Sequence, residues 1–341
     1  MNKKIVTFGE IMMRLNPQGY LRFLQATNYD VSFAGGEANV AVSLARFGED
    51  VSFVTKVPKH EIGQASINVL RNFGVDVSDV CYGGERLGSY FVEKGASQRA
   101  SKVIYDRKYS AISLADPSDF DWDKIFDGAT WFHFTGITPA LGGNMPSICL
   151  EACKKAKEKG ITISCDINYR SKLWSREDAN KVMSQLMPYV DVCIGNEADA
   201  KDVFNLEASG SDINKGELNN DGYIDVAKQL SEKFNIPTVA FTLRGSISAS
   251  VNTWGAMLYT NKSAYFSPNY TIQIVDRVGG GDSFSGGLVY SLVNNYDPQE
   301  AINFAVAASC LKHTIEHDFN LVSIEEVKSL AAGNASGRVV R

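Results

Sequence analysis

Short apolar runs alternate with segments of helical periodicity along most of the chain. The strand-like runs are residues 5–8, 51–57, 161–166, 190–194 and 238–242. The helical segments between them are residues 38–47, 62–73, 146–159, 177–186 and 224–234. Gly48, Gly74 and Gly160 follow three of these segments, at the position where a left-handed residue ends a helix. This β-then-α order predicts an α/β fold with a doubly wound, mostly parallel sheet flanked by helices.

Two segments, about residues 12–34 and 86–115, do not follow the alternation. The second contains two strand-like runs, residues 88–92 and 102–106, placed as in a short hairpin. We expect both segments to form a small β lid over one edge of the sheet, within one domain of residues 1–341. Residues 208–222 are rich in Ser, Asn, Asp and Gly, which predicts an exposed loop.

Charge and composition restrict the partners. The net charge is −5, and lysines and arginines are scattered, so the chain lacks the basic patch that nucleic acid needs. No apolar run approaches the roughly 20 residues that span a bilayer, and the apolar start is too short for a signal peptide. The six cysteines include no C-x-x-C pair, as expected for reduced thiols in the cytoplasm. A small-molecule substrate is therefore predicted.

The segment 276–287 contains three consecutive glycines that lead into a helical pattern. Gly279, Gly280 and Gly281 leave the amides at the positive end of that helix uncovered, which suits a phosphate. Asp282 follows them at the first helical turn. A carboxylate there either caps the helix or, beside a bound phosphate, takes a proton from an attacking hydroxyl. From spacing alone, catalysis and a structural turn both remain open.

Two other phosphate-binding motifs do not fit this segment. The spacing from Gly281 to Gly286 matches the opening of a Walker A loop, but Gly287 and Leu288 stand where Lys and Ser or Thr are required. A dinucleotide-binding loop follows the strand of a βαβ unit and has an acidic residue about 20 positions later, whereas this segment lies near the C-terminus.

The Gly-Gly-Gly-Asp sequence resembles the Gly-Ala-Gly-Asp signature of the ribokinase/PfkB family of carbohydrate kinases. Residues 35–41 resemble the family's other signature, a Gly-Gly turn that runs into a helix whose Asn faces the sugar. The likeness covers nearly the whole chain and keeps the family's order. It implies a ribokinase-like fold and phosphorylation of a sugar by MgATP, and it leaves a monovalent cation as an open second cofactor. Lid strands that pair between subunits would make a homo-oligomer.

The resemblance also assigns site residues. It makes Asp282 the catalytic base, and the glycines before it the site for the transferred phosphate. The residues it assigns to the sugar are Gly35, Gly36 and Asn39. The residues it assigns to ATP are Asn196, Asp199, Thr242, Arg244, Gly245 and Gly281. Asp199 replaces the Glu of an Asn-x-x-Glu motif that organises magnesium through water, and no direct metal ligand is expected.

Within the family, the chain is most similar to kinases of 2-keto-3-deoxygluconate, a sugar acid. The matching substrate contacts are Tyr90, Tyr105, Arg107, Ile137, Arg170 and Asp318. Two arginines would bind a carboxylate far better than a neutral sugar, because each presents a planar fork of donors. The resemblance implies transfer of phosphate to the primary hydroxyl, O6. The alternative is a fructokinase or ribokinase-like enzyme that phosphorylates a neutral sugar.

Two hypotheses come from other classes of protein. His313 and His317 fit the H-x-x-E-H order of inverted zinc peptidases, which needs both on one helix and a third ligand downstream. Only Glu325 and Glu326 are available for that third ligand, and both lie close by. A sugar-binding or regulatory protein on the same scaffold would keep the lid and lose the base, and the presence of Asp282 disfavours it.

Overall fold

The computed structural model describes residues 3–208 and 220–334. The strands of this part are β1 Lys4–Phe8, β2 Met12–Asn16, β3 Asp30–Ala34, β4 Val51–Val54, β5 Lys56–Val57, β6 Cys81–Tyr82, β7 Ser89–Glu93, β8 Lys102–Asp106, β9 Ala129–Thr135, β10 Thr162–Asp166, β11 Val192–Gly195, β12 Thr238–Ser246, β13 Val251–Thr260, β14 Ser263–Phe266 and β15 Tyr270–Gln273. The helices are α1 Gly36–Arg46, α2 Glu61–Asn72, α3 Trp122–Ile125, α4 Ile137–Ala140, α5 Met145–Glu158, α6 Arg176–Leu186, α7 Glu197–Phe204, α8 Asn220–Phe234, α9 Gly280–Val293, α10 Pro298–Lys312 and α11 Ile324–Ala331.

The central sheet of the described residues has the strand order β14-β13-β12-β11-β10-β9-β1-β4, with β15 also paired to β13. Within this sheet, neighbouring strands are parallel along β4, β1, β9, β10, β11 and β12. Strands β13, β14 and β15 add an antiparallel edge. Residues of the central strands, such as Ile5, Phe132 and Ile163, are fully buried because helices cover both faces of the sheet. The prediction of a mostly parallel, ribokinase-like α/β fold is confirmed.

Most predicted elements are present within a few residues, and the differences have physical causes. Strand β9 was missed because polar residues such as His133 interrupt its apolar run, although β9 lies between β1 and β10. The predicted strand 51–57 breaks at Thr55, after which β5 turns to pair with β6. Residues 220–222 belong to α8, so the predicted loop ends earlier, and residues 209–219 lie outside the described part.

Glycines end three helices as predicted. Gly48, Gly74 and Gly160 have φ angles of 81°, 81° and 69°, a conformation that other residues adopt only with strain. None of the helices in residues 3–208 and 220–334 combines the length and the apolar character needed to cross a lipid bilayer.

A second sheet contains the strands of the two segments expected to form a lid. Its order is β3-β2-β7-β8, with β7 and β8 forming the predicted antiparallel hairpin. Tyr90 on β7 and Tyr105 on β8 pair across that hairpin, and their rings stack with centroids 6.0 Å apart. We call residues 12–34 and 86–115 the lid. We expect the lid to close over a bound substrate and exclude water.

Helices α1 and α9 pack closely enough to bring the two glycine signatures together. A Cβ atom on Gly286 would lie 2.6 Å from Ser43 Cβ, well inside van der Waals contact. Glycine at this position therefore sets the distance between the helix that starts at the Gly-Gly turn and the helix that starts at the triple-glycine turn.

Replacing Gly286 by alanine should separate the two helices and lower the free energy of unfolding by about 1–3 kcal/mol. Gly281→Ala is the control on the same helix, because a Cβ there meets no atom within 4 Å. Denaturant unfolding of both variants measures the difference. A Gly286→Ala variant as stable as Gly281→Ala would contradict the proposed packing constraint.

Candidate active site

A cleft of about 460 Å³ opens at the carboxyl ends of the parallel strands, where α/β folds usually bind ligands. Glycines and polar side chains form much of its lining. The predicted site residues that line it are Gly35, Gly36, Asn39, Tyr90, Tyr105, Arg107, Ile137, Arg170, Asn196, Asp199, Thr242, Arg244, Gly279, Gly280, Gly281, Asp282 and Asp318. The fold therefore brings together residues that the sequence places far apart, while their individual roles stay predictions.

Gly245 is the exception among the predicted site residues. It was expected in a glycine loop at a strand end, but β12 continues through it to Ser246. The strand continues because Gly245 pairs with Thr253 of β13 in the antiparallel register. Gly245 does not line the cleft, although the neighbouring Arg244 does, and a contact from Gly245 to ATP stays a prediction.

The triple-glycine turn forms the N-terminus of α9. Gly279 is the N-cap with φ 83°, and no described carbonyl or side chain accepts from the amides of Gly279, Gly281 and Asp282. A Cβ on Gly279 would lie 2.1 Å from Asp318 O, and one on Gly280 would lie 2.4 Å from His313 Cε1. Glycine is required at these two positions by close packing, and the exposed Gly281 leaves the helix end open to an anion.

Asp282 lies beside the first glycine signature. Asn39 Nδ2 on α1 donates to Asp282 Oδ2 at 2.6 Å, and Gly36 is close enough that a Cβ there would be 3.8 Å from Asp282 Oδ1. Burial raises the pKa of Asp282 to about 6, against the opposing effect of the Asn39 hydrogen bond. A carboxylate with this pKa is ionised at pH 7 yet basic enough to take a proton from a hydroxyl.

The Asn39 side chain is occupied by the protein. Its Nδ2 bonds to Asp282, and its Oδ1 accepts from Gly35 N at 3.3 Å. Asn39 thus orients the candidate base and holds the Gly-Gly turn, which sequence reasoning missed. A contact from Asn39 to a sugar stays a prediction.

Asn196 and Asp199 form a capping box at the start of α7. Asp199 N donates to Asn196 Oδ1 at 2.9 Å, and Asn196 N donates to Asp199 Oδ2 at 3.2 Å. Tyr169 N donates to the other oxygen, Asp199 Oδ1, at 3.1 Å. Burial raises the pKa of Asp199 to about 6 even though Arg170 and these amides oppose the shift. The shorter side chain therefore caps a helix, and its predicted role toward magnesium is untested.

Two polar residues at the end of β10 were missed by the sequence analysis. Asp166 is buried at the cleft, and burial, followed by repulsion from Asp199 and Asp282, raises its pKa well above the usual range. Asn168 has a left-handed φ of 42°, and its Oδ1 is buried without a hydrogen-bond partner among the described residues. Their position at the carboxyl end of a buried parallel strand was the signal that could have identified them.

Glu37 supports the floor of the cleft from the start of α1. Its Oε1 accepts from Thr135 N at 2.9 Å and from Thr138 Oγ1 at 2.5 Å, which ties α1 to the end of β9. Burial raises the pKa of Glu37 to about 7, although these hydrogen bonds oppose the shift. Its place directly after Gly36 gave no hint of this role, because the contacts join distant segments.

The two arginines expected to bind a carboxylate have different surroundings. Arg107 is buried and bonds to Glu10 through both Nε, at 2.8 Å, and Nη2. Ser110 Oγ donates to the second Glu10 oxygen at 2.6 Å. Arg170 is exposed, donates to Tyr169 O, and forms no ion pair among the described residues. Arg170 therefore keeps its charge available to a ligand, whereas Glu10 already neutralises Arg107.

The chain matches the pfkB family carbohydrate kinase profile over residues 2–316. It belongs to that family of carbohydrate kinases. A crystal structure of 2-dehydro-3-deoxygluconokinase from Thermotoga maritima is 51% identical, with a TM-score of 0.94 over 98% of this chain and 99% of that chain. A 2-dehydro-3-deoxygalactonokinase from Haloferax volcanii is 32% identical over 99% of both chains. A ribokinase-type protein from E. coli, solved with ATP and Mg²⁺, shares the fold at 20% identity, with a TM-score of 0.79 over 97% of this chain and 99% of that chain.

A zinc site is not formed in this carbohydrate kinase. Helix α10 ends at Lys312, and His317 has a left-handed φ of 63°, so the two histidines do not share a helix face. His313 Nδ1 lies 2.6 Å from Ser309 O, and its ring packs on Trp254. No group of three metal-binding side chains is found in the described ranges. The zinc hydrolase hypothesis is therefore wrong, because the helix that it requires stops too early.

Replacing Asp282 by asparagine should stabilise the fold of this kinase above pH 6. Folded Asp282 holds its proton up to a pKa of about 6, whereas in the unfolded chain the pKa is about 4. The stability of the wild type therefore falls as pH rises between these values. Asparagine carries no charge, so the variant avoids the free-energy cost of ionising this carboxyl group in the folded state. Because the carboxylate borders an open cleft, we expect a gain of only about 1 kcal/mol at neutral pH.

Urea unfolding at pH 4 and pH 7.5 measures this effect, with the surface change Asp127→Asn as control. The advantage of the Asp282 variant should be small at pH 4 and grow toward pH 7.5. A variant that is less stable than the wild type at pH 7.5 would show that the carboxylate is not strained in the folded state.

Proposed function

We propose that this kinase transfers the terminal phosphate of MgATP to the primary hydroxyl of 2-keto-3-deoxygluconate, giving the 6-phosphate. One observation carries the proposal: a basic carboxylate, Asp282, lies at the mouth of an uncovered helix N-terminus in the same cleft as an unpaired arginine, Arg170. The cleft thus offers a proton acceptor, an anion site and a carboxylate-binding cation. The names of similar kinases, which act on keto-deoxy sugar acids, support the same substrate class.

Asp282 is the general base in this proposal. The sugar hydroxyl gives its proton to Asp282 as the oxygen attacks the terminal phosphorus, and Asn39 keeps the carboxylate in place. The bond from the terminal phosphorus to the bridging oxygen breaks at the same time, and ADP leaves with that oxygen. The amides of Gly279, Gly281 and Asp282 donate to the oxygens of the transferring phosphoryl group, whose charge they stabilise. Most of the acceleration in phosphoryl transfer comes from such positioning and charge stabilisation.

The residues of the cleft fit magnesium brought in with the nucleotide. Asp166 and Asp199 are buried carboxylates on the cleft wall, and the oxygen of Asn168 lacks a partner there. Oxygen ligands are those that Mg²⁺ prefers, and it usually keeps several waters and the substrate phosphates as further ligands. When bound, magnesium neutralises phosphate charge. Thr242 and Arg244 lie on the same wall and are proposed to contact ATP.

The sugar end of the cleft is proposed to select an acid through Arg170. The two tyrosines of the lid hairpin, Tyr90 and Tyr105, cover this end together with Asp318. Tyr90 Oη donates to Asp318 Oδ2 at 2.8 Å, which leaves the Asp318 carboxylate fixed at the edge of the cleft. A neutral analogue is expected to bind less tightly, because it cannot form the charged hydrogen bonds that a carboxylate forms with the guanidinium of Arg170.

A kinase of a neutral sugar is the second candidate, and one observation favours it. Glu10 neutralises Arg107, so only one of the two predicted carboxylate-binding arginines is unpaired. A coupled assay for ADP with 2-keto-3-deoxygluconate, its galactonate epimer, fructose, ribose and gluconate separates the candidates. We expect the keto-deoxy acids to give the highest kcat/KM. Preference for fructose or ribose would overturn the proposal.

Asp282→Asn should bind MgATP and sugar acid but lose about 10³-fold or more in kcat, because the base is removed while its shape remains. Calorimetric titration with each ligand and steady-state kinetics give the two quantities. Asp127→Asn, on the surface, is expected to retain full activity. Near-normal turnover by Asp282→Asn would refute the assignment of the base.

Arg170→Gln should lower kcat/KM for the sugar acid by about 10²-fold, since a charged hydrogen bond to the substrate is lost. The slower reaction with a neutral sugar should change little. Arg176→Gln is the matched control, because Arg176 is an exposed arginine paired with Asp202 nearby on the surface. An unchanged preference of the Arg170 variant for the acid would contradict carboxylate recognition at this position.

Three further expectations remain predictions under this proposal. Binding of a monovalent cation stays a prediction. The buried carboxylates Asp276 and Asp318 do not need such a cation for charge balance, because both are already paired with Arg14. Assembly into a homo-oligomer is expected through the lid, where Val31 and Ile104 are exposed on outer strands. A cytoplasmic location is expected because the six cysteines are free thiols.

A further inference from the structure

Arg14 lies on β2 of the lid and is fully buried, although its guanidinium is always charged. Its Nη1 donates to Asp318 Oδ1 at 2.6 Å, and its Nη2 donates to Asp276 Oδ2 at 2.5 Å. Burial alone lowers the pKa of Arg14, but the two buried carboxylates outweigh it and raise that pKa. Arg14 does not line the cleft, yet both of its partners border the triple-glycine turn.

The first partner, Asp276, lies where the chain enters the triple-glycine turn. Asp276 Oδ1 accepts from Val278 N at 3.1 Å, and Val278 is directly followed by Gly279. The carbonyl oxygen of Asp276 accepts from the buried Lys312 Nζ at 3.1 Å. Both the side chain and the main chain of Asp276 are therefore held, and the direction in which the chain enters α9 is held with them.

The second partner, Asp318, contacts the turn on its other side. The carbonyl oxygen of Asp318 lies 2.1 Å from the position of a Cβ on Gly279, so the two backbones are in direct contact. Arg14 and Tyr90, on two neighbouring lid strands, bind the two oxygens of the Asp318 carboxylate. Arg14 thus connects the lid to both segments that meet at Gly279.

We propose that Arg14 is a positioning residue for phosphoryl transfer: it sets the spacing between Asp276 and Asp318, and thereby aims the free amides at the start of α9. The inference rests on the function proposed above. It explains why a charged residue occupies a site where an apolar side chain would fold at lower cost, since buried ion networks stabilise poorly. The planar fork of arginine bonds to two carboxylates in fixed directions, and a lysine cannot reproduce both bonds.

Arg14→Lys tests the proposal while it keeps the charge. Misaimed amides weaken binding of the transition state more than binding of the ground state. We therefore expect kcat to fall by about 10²-fold while KM for ATP and for the sugar acid changes little. Arg22→Lys is the matched control on the same lid, because Arg22 is exposed and Glu93 is its one ion-pair partner among the described residues. It should leave both parameters unchanged.

Hydrogen exchange provides a readout that needs no substrate. In Arg14→Lys, peptides that cover residues 276–283 and 317–319 should exchange faster, whereas the central strands should keep wild-type protection. Faster exchange throughout the protein would mean a loss of overall stability and would overturn a positioning role. Unchanged exchange with unchanged kcat would overturn it as well. If Arg14→Lys does not fold, Asp276→Asn weakens the same network and should give the same local pattern.

The two hypotheses fail in different ways. A wild-type protein that phosphorylates no sugar acid contradicts the proposed function, while exchange at residues 276–283 still decides whether Arg14 orders the turn. An active wild type with an active Arg14→Lys variant contradicts only the role of Arg14. A parallel loss of kcat and of affinity for both substrates, with a lower Tm, would assign Arg14 a purely structural role.

Discussion

The N-terminus of α9 presents uncovered amides to the cleft, and glycines let the neighbouring segments pack closely against this helix. Three segments approach the helix closely: Ser43 at Gly286, Asp318 at Gly279 and His313 at Gly280. At each point a Cβ atom would collide. Gly281, in contrast, meets nothing and faces the open cleft. Glycine thus has two functions in one turn, close packing on the protein side and access for an anion on the other.

The cleft holds more negative charge than a stable fold requires. Burial is the main cause that raises the pKa values of Asp166, Asp199 and Asp282, and a neighbouring carboxylate adds to the shift of each, so ionising these groups at neutral pH opposes folding. Such strain is common where a site is built for chemistry. It suits a reaction in which one carboxylate accepts a proton and a magnesium ion enters with the nucleotide, because both events relieve the repulsion.

The sequence predicted the fold and the lining of the cleft well, because both depend on local patterns. Periodicity and helix-ending glycines marked the elements, and two short signatures marked the starts of α1 and α9. The pairings could not be predicted. Two of these pairings, Asn39 with Asp282 and Glu10 with Arg107, join residues that are distant in sequence. The local sequence around each residue does not indicate which residue it will contact. The strand conformation of Gly245 could not be predicted for the same reason, since its pairing with Thr253 of β13 decides it.

Ion pairing distinguishes arginines that cannot be told apart in the sequence. Arg14 and Arg107 are buried, and carboxylates of the protein already neutralise them, so they hold the lid against the core. Arg170 is exposed and forms no direct ion pair in the described part of the chain, although its charge lowers the pKa values of Asp166, Asp199 and Asp282 nearby. An anionic substrate gains most from a cation whose charge is not yet satisfied, because it does not have to displace an internal partner. Under the proposed function, selectivity for an acid would therefore depend on Arg170, and Arg107 would contribute by holding the lid in place.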